Sequence, residues 1–200
     1  MYALTADQID SRNDDDRVES VLDRVRQTVG DHAVLPPERT AGDEFQLLLD
    51  DAESTLELLL DLTRDGEWSV GIGIGPVEAP LPTSTRAARG AAFFRARDAV
   101  ERAKAAPEHF ALEIEPGLRL RTPDVEPLLT QTIRARMRRS AEGWELADLL
   151  RAGRTRTEAA SILGISPQAV AKRYLAADLR AEDAVRAALV RLLAEADLPS

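Results

Sequence analysis

Two hundred residues, 44% hydrophobic and 30% charged, suit one large or two small globular domains. No apolar run approaches a membrane span, and without cysteine there is neither a disulfide framework nor a thiolate metal site. The net charge of −9 is uneven: residues 1–127 hold 14 Lys and Arg against 26 Asp and Glu, residues 128–181 hold 10 against 5, and residues 182–200 hold 2 against 4. A basic segment in an acidic chain bears more on nucleic-acid binding than the overall balance does.

Tyr2–Ile9 is short, apolar and threonine-bearing, which predicts a buried strand; it has no basic region of a secretory leader before it, so the chain reads as cytoplasmic. Asp14–Asp16 begin a helix running to about Thr28, with Val18, Val21, Leu22, Val25 and Val29 on one face. Pro36 and Pro37 break the chain. Glu38–Thr40 and Glu44–Leu49 then flank Ala41-Gly42-Asp43 as a β-hairpin. Ala52–Thr63 reads as a helix, Trp68–Gly75 as a strand, Ala87–Lys104 as a helix and Phe110–Glu115 as a last strand. Gly71-x-Gly73-x-Gly75 meets Pro76 and lacks the helix start of a dinucleotide fingerprint. It reads as a strand whose glycines admit a neighbouring backbone or ligand.

Thr122-Pro123-Asp124 starts a helix that runs to about Arg139, with Thr122 as its cap. Arg134, Arg136, Arg138 and Arg139 close it, either as a solvated helix end or as phosphate contacts. Trp144–Leu150 forms the next helix, ended by Gly153. Thr157 can N-cap a short helix that stops at Gly164, where a left-handed turn is allowed. Ser166 caps a second helix with Pro167 at its first position, and Val170 and Tyr174 form its buried stripe. This arrangement resembles the helix-turn-helix of bacterial DNA-binding proteins, whose second helix enters the major groove. The expected base-facing residues are Gln168, Ala171 and Lys172; Arg154, Arg156 and Arg173 are expected on phosphates, with Thr157 and Ser166 at the two helix starts. A final helix, Glu182–Ala196, carries Val185, Leu189, Leu192 and Leu193 on one face, which either covers the helical core or pairs two subunits.

The order β-α-β-β-α-β-α-β contains a ferredoxin-like βαββαβ core, which brings the end of the first strand beside the hairpin. Asp7 and Asp43 then converge; two such carboxylates suit a hard cation, Mg²⁺ or Mn²⁺, usually with a phosphate, although hairpins and strand ends also hold solvated acids. Ala6-Asp7-Gln8-Ile9-Asp10-Ser11, Ala41-Gly42-Asp43-Glu44-Phe45-Gln46, Val70-Gly71-Ile72-Gly73-Ile74-Gly75-Pro76-Val77 and Phe94-Arg95-Ala96-Arg97-Asp98-Ala99 resemble successive motifs of the SatD family. They are also similar, more distantly, to the palm domain of class III nucleotidyl cyclases and GGDEF-type diguanylate cyclases. That resemblance implies metal ligation by Asp7, Asp43 and Glu44. It also implies a nucleoside triphosphate near Gln8, Ile9, Gly42, Arg95 and Arg97. The Asn of the cyclase Asn-x-x-x-Arg pair is missing: Phe93 stands four before Arg97, and Ala91 four before Arg95. Binding is therefore favoured over turnover.

The expected architecture is α+β. A ferredoxin-like, nucleotidyl-cyclase palm-like domain (1–120) precedes an all-α helix-turn-helix domain (121–200). The expected function is a SatD-like transcriptional regulator that binds double-stranded DNA as a homodimer, gated by a nucleotide and Mg²⁺ or Mn²⁺, with no membrane partner. The alternatives are a metal-dependent cyclase or nucleotidyltransferase and a protein–protein adaptor.

Overall fold

A computed structural model describes residues 1–11, 15–40 and 42–200; the expected helix start at Asp14 and the Ala41 corner of the hairpin lie outside them. The chain is α+β. Among the described residues there are five strands, β1 (Tyr2–Gln8), β2 (Ala33–Arg39), β3 (Glu44–Leu49), β4 (Trp68–Ile74) and β5 (Phe110–Ile114). Eight α-helices accompany them: α1 (Val18–Val29), α2 (Ala52–Leu62), α3 (Ala91–Ala103), α4 (Thr122–Met137), α5 (Ala141–Arg151), α6 (Arg156–Leu163), α7 (Pro167–Ala176) and α8 (Leu179–Ala196). No described helix is long and apolar enough to cross a membrane. The chain divides into two compact units, Met1–Ile133 with Leu189–Ser200, and Arg134–Ala188.

The first unit is built on one mixed sheet in the order β2-β3-β1-β4-β5. β1 runs antiparallel to both β3 and β4, β2 is antiparallel to β3, and β5 is parallel to β4. Side chains alternate across a strand, and here the alternation sorts them by size. Tyr2, Leu4, Phe45, Leu47, Val70, Ile72, Phe110 and Leu112 join one large core, where α1, α2, the first part of α4 and the end of α8 cover them. Their neighbours are small or polar: Ala3, Thr5 and Asp7 on β1, Ser69, Gly71 and Gly73 on β4, Ala111 on β5. α3 lies on this second face, packing Ala92, Phe93 and Ala96 with Ala3 and Leu48, and Ala99 and Ala103 with Ala111.

The glycines of β4 are what let α3 sit there. A Cβ on Gly71 would lie 2.2 Å from the Val100 nitrogen, and one on Gly73 2.0 Å from the Ala92 carbonyl oxygen. Helix and strand meet backbone to backbone, so the glycines admit a neighbouring backbone and not a ligand.

Three expectations shift. Pro36 and Pro37 do not break the chain but lie inside β2. β2 is an edge strand, and its register slips between Leu35 and Glu38, so a missing N–H is tolerated there. The helix expected from Ala87 begins at Ala91, because Thr85–Ala87 form a separate 3₁₀ turn and Gly90, at φ 136°, is pressed against Val77. Thr122 is the first residue of α4 and not its cap: its hydroxyl accepts from the Ile114 N–H at 3.0 Å and donates to Glu113, tying the start of α4 to β5.

The last twelve residues return to the sheet unit. Leu189, Leu193 and Ala196 are buried in its core with Val125, Leu129 and Ile133. The Tyr2 hydroxyl donates to the Leu193 carbonyl at 3.0 Å, and Arg119 N–H donates to the Leu198 carbonyl at 2.8 Å. The stripe that suggested a dimer surface is thus largely covered within the chain, with Val185 alone of the four exposed.

Gly73→Ala should destabilise the sheet unit by at least about 2 kcal/mol, since overpacking against rigid backbone has no flexible side chain to displace. Urea unfolding followed by Trp68 fluorescence would measure it, and an unchanged midpoint would refute the close approach.

Candidate functional site

The helical unit is small and uses aliphatic packing: Leu146, Ala147, Ala159, Ala160, Val170, Ala177 and Leu179 are its buried core. α6 starts one residue pair earlier than expected. Thr155, not Thr157, is the cap: its hydroxyl accepts from the Glu158 N–H at 3.2 Å, and the Glu158 carboxylate accepts from the Thr155 N–H at 2.7 Å. This reciprocal pair is the Thr-x-x-Glu capping box, visible in the sequence as Thr155 and Glu158. Gly164 ends α6 in the left-handed region at φ 64°. Ser166 caps α7 by accepting from the Ala169 N–H at 3.1 Å, and Pro167 takes its first position.

Gln168, Ala171 and Lys172 are exposed on the N-terminal half of α7, while Val170 is buried. Arg154, Arg156 and Thr157 are also exposed. Arg156 lies over the Tyr174 ring, 5.1 Å from its centroid, and the Tyr174 hydroxyl donates to Asp183 at 2.7 Å. Arg173 is half-buried and pairs with Glu145 on α5 at 3.3 Å, so it braces two helices as well as carrying charge.

The basic end of α4 divides in two. Arg134 and Arg138 are exposed, but Arg136 and Arg139 keep only 3% and 1% of their side chains accessible. Both pair with Glu182, and both guanidinium groups lie over the Trp144 ring, at 4.8 and 4.5 Å from its centroid. Gly143 leaves room for the Arg139 stem, and Arg139 Nε donates to the Ala177 carbonyl at 3.0 Å. Burial pulls the Arg136 pKa down to about 10 even with Glu182 beside it. Burial works against the Glu182 charge too, but Arg136 and Arg139 outweigh it and hold that carboxyl below its ordinary value. These two arginines are a packed ionic core, not phosphate contacts.

At the other end of the chain, β1 and the hairpin do meet. Asp7 is opposite Glu44 in register, and the Gln8 N–H donates to the Asp43 carbonyl at 3.1 Å. Among the described residues each of the three acids expected to hold a metal already has a side-chain partner. Lys104, at the end of α3, holds the Asp7 carboxylate at 3.1 Å; Ser11 donates to Asp43, and Thr40 donates to Glu44 at 2.5 Å. Among the described residues no three His, Asp or Glu side chains are grouped to hold a metal. The Ile9 N–H is taken by the Glu67 carbonyl, and the Gln8 side chain bridges the Asp15 carbonyl and the Arg17 N–H, so neither residue offers a free loop amide to a phosphate. Gly42 gives its carbonyl to Arg39, which also pairs with Asp16. Arg95 is paired with Glu115 at 2.8 Å, whereas Arg97 is exposed.

Burial raises the Asp7 pKa above its usual 3.8, with Lys104 opposing and the nearby Asp43 and Glu101 charges adding to the rise. Local pattern does not mark Lys104 as its partner: the two lie 97 positions apart, and the docking of α3 on β4 brings them together.

No protein-family model, no curated protein and no solved structure matches this chain significantly.

Two outcomes follow from these ionic groups. An acid whose folded pKa is raised stabilises the fold below its unfolded pKa, and that contribution is lost as pH rises above it. Asp7→Asn should therefore raise the melting temperature at pH 7 relative to the parent, with the gain shrinking toward pH 4. A melt that falls at pH 7 would show that the Lys104 pair outweighs the burial. Glu182 has the opposite sign: it stabilises above its ordinary value of 4.5, and the contribution is lost as pH falls through its lower folded value. Glu182→Ala should cost about 3–5 kcal/mol by leaving two buried cations without their acid, and should flatten the acid limb. Trp144 fluorescence in a Trp68→Phe background would follow it.

Proposed function

We propose that the chain is a DNA-binding regulatory protein that reads duplex DNA with α7. The observation that carries this reading is the joint between α6 and α7. A left-handed Gly164, a Ser166 cap and Pro167 start a helix whose exposed N-terminal half bears Gln168, Ala171 and Lys172. These features support a helix-turn-helix reading, in which α7 would be the recognition helix, with polar groups able to pair with base edges and cations on its flanks. Charge supports it. Arg134–Ala188 holds 11 Lys and Arg against 7 Asp and Glu, while the rest of the chain holds 15 against 28. The order β2-β3-β1-β4 with antiparallel neighbours supports the reading of this unit as ferredoxin-like.

On this reading DNA binding needs no divalent ion at Asp7 and Asp43, since Lys104 already neutralises Asp7. A single helix-turn-helix makes few base contacts, so binding is expected from a homodimer across two half-sites. The dimer surface lies elsewhere than Leu189 and Leu193.

Selection of a binding sequence from a random pool, then titration of selected and scrambled duplexes at two salt concentrations, tests the proposal. Gln168→Ala should relax base discrimination by about 1–3 kcal/mol with little change in non-specific affinity. Arg154→Ala should weaken all sequences alike and reduce the salt slope by about one. A parent protein with neither sequence preference nor salt dependence would sink the reading.

A further inference from the structure

The sheet unit is acidic, yet one of its clefts is lined by no carboxylate. It opens on the small-residue face, between the β2–β3 hairpin, the turn at Thr85–Ala87 and α3, and encloses about 410 Å³. Arg86, Arg89 and Arg97 line it together with Phe93, Phe94 and Gln46. Arg86 lies 3.7 Å from Glu38, on the hairpin side. Arg89 and Arg97 have no carboxylate within ion-pair distance among the described residues, although both are exposed and the unit around them is rich in acids. Phe94 leaves 59% of its surface in water at the cleft's edge, while Phe93 is buried beside it. Gln46 is buried and fixed, its Nε2 donating to the Thr5 hydroxyl at 2.7 Å.

Arg86 shares its charge with Glu38, but Arg89 and Arg97 have no such acid and repel each other and Arg86, and an anion between them relieves that repulsion. A wet aromatic face gains by being covered. We infer that this cleft binds a nucleoside phosphate, with Arg89 and Arg97 on the phosphate oxygens, Arg86 at the side and the base stacked on Phe94. The guanidinium fork matches phosphate geometry, and an aromatic ring accepts any base face. Inorganic phosphate alone would leave Phe94 uncovered, and a purely apolar ligand would leave the arginines unpaired. The volume falls within the roughly 300–1,000 Å³ usual for small-molecule sites. No divalent ion is needed, because the chain itself supplies the positive charge. The cleft shares no residue with the corner cavity of about 330 Å³ at Gln8, Ser11, Asp16, Arg39, Gly42 and Asp43, and it does not rest on the DNA-binding proposal.

Isothermal titration of the full chain with AMP, GMP, CMP and UMP, and with inorganic phosphate, all in EDTA, tests this. Saturable binding of at least one nucleoside monophosphate is expected, with inorganic phosphate markedly weaker. Arg89→Ala and Arg97→Ala should each weaken it by about tenfold or more, as loss of a hydrogen bond to a charged group does. Phe94→Ala should weaken the nucleotide and leave inorganic phosphate unchanged. Asp43→Ala should have no effect. All three cleft side chains are exposed, so unchanged circular dichroism will separate lost binding from lost folding. The inference is overturned if no monophosphate binds, if binding survives Arg89→Ala and Arg97→Ala, if inorganic phosphate binds as tightly, or if only a single-stranded oligonucleotide binds.

Discussion

The contact on which most of the sheet unit depends is the one between β4 and α3, where Gly71 and Gly73 meet the backbone at Ala92, Ala96 and Val100. No side chain separates the two elements, so the helix has one height above the sheet and little freedom to slide. Its small face, Ala92, Ala96, Ala99 and Ala103, suits that height. Everything α3 carries elsewhere is then fixed in place: Lys104 at its end over Asp7, and Phe94 and Arg97 at the cleft beside Gln46. A close-packed interior transmits such constraints because it has few voids in which to absorb them.

Size segregation across the strands is the second consequence. The face that receives α1, α2, α4 and α8 is filled by Leu, Val, Ile and Phe, as a face covered by several helices requires. The face that receives α3 alone is lined mainly with Ala, Gly, Thr and Gln, with Leu35 and Leu48 toward β2 and β3. Where α3 stops, toward β3 and β2, that face stays partly open and becomes a cleft instead of a core.

Strands and helices were legible where periodicity is strong. Tyr2–Gln8, Glu44–Leu49 and Trp68–Ile74 end within a residue of expectation, and the caps at Ser166 and Gly164 follow from residue type alone. The failures share a cause. Pro36 and Pro37 look like breakers until β2 is known to be an edge strand, and Arg136 and Arg139 look solvated until Glu182 and Trp144 are seen against them. Lys104 beside Asp7, and Arg86 and Arg89 beside Arg97, depend on contacts between distant segments, which local pattern does not encode. The Thr155 cap is different: its signal, Glu158 three residues on, was in the sequence and competed with a nearby Thr157.

The sheet unit is discontinuous in the chain, because Leu189, Leu193 and Ala196 join a core otherwise built from residues before 134. Vectorial synthesis on the ribosome therefore delivers the whole helical unit before the final buttress of the sheet's large face has emerged. The helical unit, made of contacts between neighbouring helices, has what it needs as soon as α7 is out. The sheet must wait for residues some fifty-five positions beyond its last preceding segment. In the interval part of its large apolar face is bare, which makes nascent-chain handling, and not only final stability, a pressure on this sequence.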